Sequence, residues 1–116
     1  MGAGRLGMQD GRAVFVQDGA MWQVAHMPIA LHVLDARYAF VIEPSIIGDD
    51  LLMEHQIVSL WDADARHLEE LVGLRGESYH WSFVDDDGAL VVATSSGGRF
   101  VSAIHRSGQT EDVTCW

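Results

Sequence analysis

Residues 61 to 74 read WDADARHLEELVGL, and the fold class turns on how they are taken. Asp62 stands where a helix N-cap would, and Asp64 falls in the first turn, where unpaired amides favour negative charge. Ala65, Leu68, Leu71 and Val72 then lie on one stripe at helical spacing, and Gly73 or Gly76 supplies a stop. The stretch predicts an amphipathic helix.

Downstream, SYHWSFV, ALVVATS and RFVSAIHR are separated by DDDG and SGG, the pattern of a three-stranded antiparallel meander. A four-residue loop at 85 to 88 pairs Val84 with Ala89, and a three-residue loop at 96 to 98 pairs Ser95 with Arg99. Tyr79, Trp81, Phe83, Leu90, Val92, Phe100 and Ile104 then share the core face. Ser78, His80, Ser82, Val91, Ala93, Val101, Ala103 and His105 form the other, half-polar face.

Upstream, RAVFVQ and AMWQVAH flank Asp18-Gly19, a strong hairpin signal because both turn residues take positive φ. The loop pairs Phe15 with Trp22 and Ala13 with Val24. Residues 29 to 43 admit a short helix after Pro28 or two strands, with YAFVI extended in either case. SIIGDDLLMEHQ, with Asp49 as a cap, predicts a short helix, and IVSLW a brief strand. The expected fold is α+β: an N-terminal hairpin, a mixed middle, and one amphipathic helix on a C-terminal three-stranded meander. Residues 1–11 are expected to be a flexible tail and 12–116 a single domain.

Composition excludes several functions. Seven arginines and no lysine oppose seventeen acids, a net charge of −10, so no basic face is expected for nucleic acid. A basic protein partner fits this charge. Cys115 is the only cysteine, so no intrachain disulfide or multi-cysteine metal site is expected. The chain lacks a signal-peptide core and any apolar run of about 18 residues, which points to a cytoplasmic protein with no membrane contact. Gly2, Gly4 and Gly7 spell G-x-G-x-x-G, but no buried strand precedes them, as a dinucleotide site requires.

Candidate chemistry is sparse. Asp85, Asp86 and Asp87 lack the remaining ligands of a calcium loop: with Gly88 at its sixth place, the first and twelfth would be Phe83 and Thr94. They read as a solvated turn and as the most compact part of an acidic contact patch. Asp62 and Asp64 resemble the D-x-D pair of haloacid-dehalogenase-type phosphatases, which also require a lysine that this chain does not have. The six histidines, His26, His32, His55, His67, His80 and His105, show no metal-binding spacing. No cofactor or bound metal is expected.

Two function classes remain. The first is a small acidic non-catalytic protein of inhibitor, immunity or anti-defence type, which occludes a basic partner through Asp85, Asp86 and Asp87. The second is a small-molecule-binding domain or small enzyme, with a pocket between sheet and helix lined by His80, Ser82, Trp61 and His105. A closed apolar cavity would favour the second, and a solid core with a contiguous acidic face the first. A homodimer is compatible with either.

Overall fold

The computed structural model describes residues 4–25, 27–47, 50–75, 78–95 and 99–113, and these contain eleven strands and no helix. The expected α+β class is therefore corrected to all-β. Three antiparallel sheets form: β1 (Arg5–Gln9), β2 (Arg12–Gln17) and β3 (Ala20–Ala25) make the N-terminal sheet. β4 (Ala30–Val33), β5 (Tyr38–Ile47), β6 (Asp50–Asp62) and β7 (His67–Arg75) make the central sheet. β8 (Ser78–Val84), β9 (Leu90–Ser95), β10 (Arg99–Ile104) and β11 (Thr110–Asp112) make the C-terminal sheet.

The central sheet is covered on both faces, which explains its unbroken apolar run. Ala39, Phe40, Val41 and Ile42 are all buried. Alternation sends Ala39 and Val41, with Trp61 and Ala63, into a cluster with Ala13, Phe15, Val24 and Ala25 of the N-terminal sheet. It sends Phe40 and Ile42, with Val58 and Leu60, into a second cluster with Leu90, Val92 and Ile104 of the C-terminal sheet. A strand buried on both faces loses the apolar–polar alternation that normally marks it.

The predicted helix at 62–72 is a turn followed by β7. Asp62 Oδ1 does accept bonds from the amides of Asp64 and Ala65, at 3.0 and 3.4 Å, as an N-cap carboxylate would. Arg66 then takes φ +54°, and His67 pairs back onto Asp62. The helical spacing of Leu68, Leu71 and Val72 comes from a bulge: Val58 pairs with Val72 and Ser59 with Glu70, leaving Leu71 as an extra residue. Leu68 packs on the first cluster, and Leu71, Val72 and Leu74 belong to the second. A helix would bury this stripe on one side, whereas the bulged strand divides it between two.

Residues 45–47 and 50–56 of the predicted short helix are likewise strand. Ser45 pairs with Leu52 and Ile47 with Asp50, while the proposed cap Asp49 lies outside the described residues. Residues 5–9, expected within a flexible tail, form β1. Asp10-Gly11 turns it onto β2, with φ of 52° and 78°. The Asp18-Gly19 hairpin pairs Phe15 with Trp22 as expected, but a bulge moves the partner of Ala13 from Val24 to Ala25.

Candidate interaction surface

The meander of β8, β9 and β10 forms, with Ser95 opposite Arg99, and β11 extends it. The β8–β9 register differs from expectation by one residue: Val84 pairs with Leu90, not Ala89. The cause is in the loop. Asp85 Oδ1 accepts bonds from the amides of Asp87 and Ala89 at 2.9 and 3.0 Å, and Asp85 N donates to Ala89 O at 2.9 Å. Ala89 is thereby drawn into the turn, which Gly88 completes at φ +80°.

A one-residue slip reverses every side chain of a strand. Ser82 and Val84 face inward opposite Val92 and Leu90, and Trp81 and Phe83, expected in the core, face outward opposite Ala93 and Val91. Trp81 is 46% exposed and Phe83 49%. Phe100, also expected in the core, is half exposed opposite Thr94. A bulge between Tyr79 and Trp81 leaves His80 without a cross-strand partner, so His80 stands on the exposed side with Trp81 rather than opposite it.

The outer face of the C-terminal sheet is thus apolar at its centre. Trp81 and Phe83 stack with ring centroids 5.7 Å apart and planes 20° from parallel. Val91, Ala93 and Ala103 share this face by register and are buried. Asp86 and Asp87 project from the turn that follows β8, and Glu111 sits opposite Ala103 at the far edge. His105 Nε2 lies 3.3 Å from Glu111 Oε2, and His80 Nε2 lies 2.8 Å from Ser95 Oγ. Scattered exposed apolar residues are ordinary, but two stacked rings on one strand with acids beside them are not.

The alternative ligand site is not assembled. Its expected helix is absent from the described residues, and its four residues occupy three places. His80 and His105 are on the outer face. Ser82 is inside, where its Oγ lies 2.7 Å from His32 Nε2 and 2.8 Å from Tyr79 Oη. Trp61 is on the opposite face of the central sheet, packed on Phe15 with centroids 5.6 Å apart. Trp61 does line an open cleft of about 350 Å³ with Leu6, Phe15, Val33 and Arg37, and its buried Nε1 has no hydrogen-bond partner among the described residues.

Asp62 and Asp64 serve structure. Arg37 grips the Asp62 carboxylate with two bonds of 2.9 and 3.1 Å, which hold Asp62 below the usual carboxylate range and raise Arg37. Asp35 is also held low, first by the amide of Tyr38 and then by that of Arg37, at 2.7 and 2.8 Å. Among the described residues no three His, Cys, Asp or Glu side chains gather as a metal site, and none of the helix-free chain described offers a membrane-crossing helix. His26 and Cys115 lie outside the described residues.

No known protein family matches the chain, and neither a curated protein nor a solved structure matches it.

Proposed function

We propose that this chain is a non-catalytic binding protein that occludes a basic protein partner through the outer face of its C-terminal sheet, in the cytoplasm. The observation that carries this reading is the exposed Trp81–Phe83 stack beside the Asp85–Asp87 turn. Large aromatic anchors surrounded by polar or charged groups are the usual energetic centre of a protein interface. The net charge of −10 supplies long-range attraction for a basic partner.

Nothing in this arrangement needs a nucleophile or a proton relay. Asp86 and Asp87 steer the approach, and the rings exclude water once contact is made. Asp85 has a different part, because its carboxylate is occupied in shaping the turn.

The test begins with capture of the partner from the native host, followed by association kinetics at several salt concentrations. Raising salt should slow association more than it speeds dissociation, since exposed charges are screened over about 8 Å at physiological ionic strength. Trp81→Ser should chiefly raise the dissociation rate. Unchanged kinetics in that variant, or a partner that proves to be a second copy of this chain, would overturn the reading.

A further inference from the structure

The arginines of this chain already show what its aromatic rings attract. Arg37 and Arg106 lie over Tyr38, 4.8 and 5.1 Å from the ring centroid. Arg66 lies over both Phe15 and Trp22, at 5.2 and 4.6 Å. Tyr38 and Trp22 are partly exposed, and each has a guanidinium of the same chain on its face. Trp81 and Phe83 are more exposed than either, and the guanidinium–ring contacts among the side chains described do not include them.

From this contrast, and resting on the proposed function above, we infer that the Trp81–Phe83 stack is a seat for an arginine side chain of the partner. A stacked pair presents a broad π-face of negative quadrupole, which a planar guanidinium covers better than a compact ammonium. The charge around the stack agrees. Asp86 and Asp87 follow it at one strand end, and Glu111 lies across the sheet on the same face, while the His80 imidazole beside the stack is engaged with Ser95 Oγ at 2.8 Å. The recognised chemistry is therefore an arginine in a basic segment, and a lysine in its place should bind less well.

The experiment compares two peptides of equal length and charge, one of nine arginines and one of nine lysines, binding to the full chain at fixed ionic strength. The expected result is a preference for arginine of roughly fivefold or more, the size of one cation–π contact. Trp81→Leu and, separately, Phe83→Leu should lower arginine affinity more than lysine affinity, so that the two converge. Both variants keep an apolar cover over Ala93 and Val91, and either one suffices for the test. Equal affinity for the two peptides, or a preference that survives in both variants, would overturn the arginine seat. The basic-partner reading would still stand in that case if Asp86→Ser with Asp87→Ser weakened both peptides alike. Failure of both peptides to bind at low salt would overturn the seat and that reading together.

Discussion

His32 Nε2 lies 2.7 Å from Ser82 Oγ, a polar contact between β4 of the central sheet and β8 of the C-terminal sheet. Tyr79 Oη extends the chain from the same oxygen at 2.8 Å. Burial holds the His32 pKa below its ordinary 6.5, because a partly dehydrated imidazolium is disfavoured. The unfolded chain then binds the proton more readily than the folded one. Stability should be fully present above pH 6.5 and should be lost as pH falls from there through the lowered folded value. Urea unfolding at a series of pH values should show this slope in the native chain and a shallower one in His32→Gln. Identical slopes would mean that His32 is not a source of acid sensitivity.

Arg66 ties two sheets together from a left-handed backbone position. Its guanidinium bonds Ala63 O and Gln17 Oε1 and covers Phe15 and Trp22. Arg66→Ala should destabilise the fold by about 1–2 kcal/mol, from one cation–π contact and the lost bonds. Arg66→Gly loses the same contacts but relieves the φ of +54°, so it should be more stable than Arg66→Ala by about 1 kcal/mol. Thermal unfolding of the two variants decides this, and Ala equal to or above Gly would contradict the assigned backbone.

Much of the hairpin structure was legible, and the bulges were not. Asp18-Gly19 announced its turn, and Asp10-Gly11 carried the same signal, masked by the absence of an obvious strand before it. YAFVI read as strand because β-branched and aromatic residues dominate it. Leu71 and His80 misled because a bulge depends on the partner strand as much as on its own sequence: each adds one residue that shifts the apparent period. The candidate surface was hidden for a related reason. Trp81 and Phe83 alternate with His80 and Ser82, so either set can face the core, and a loop of five residues rather than four decides which. Charge, by contrast, was readable at once, since it needs no register.

Two phenylalanines test that register directly. Phe40 is fully buried between the central and C-terminal sheets, and Phe83 is half exposed. Phe40→Ala should cost about 3–5 kcal/mol, the range for an aromatic removed from a packed core. Phe83→Ala should cost about 1 kcal/mol, because only part of its area is withdrawn from water. Chemical denaturation of both variants gives the comparison. Equal losses would restore Phe83 to the core and remove the exposed stack on which the interaction surface depends.

The three aspartates divide by role, and single substitutions should separate them. Asp85 accepts two amide bonds within the turn, so Asp85→Ala should lower stability by about 1–2 kcal/mol, less whatever water restores at the freed amides. Asp86 and Asp87 are exposed, and no hydrogen bond or ion pair from another described residue reaches their carboxylates. Replacing each by Ser should change stability by under about 0.5 kcal/mol. Binding should order the residues the other way, with Asp86→Ser and Asp87→Ser slowing association with a basic partner at low salt and the effect fading as salt rises. Asp85→Ala should slow it less, in so far as the turn still forms. A common set of denaturation curves and association rates settles the division. If Asp86→Ser and Asp87→Ser leave the association rate and its salt dependence unchanged, the aspartates serve the turn alone, and attraction to the partner must come from acids elsewhere on the chain.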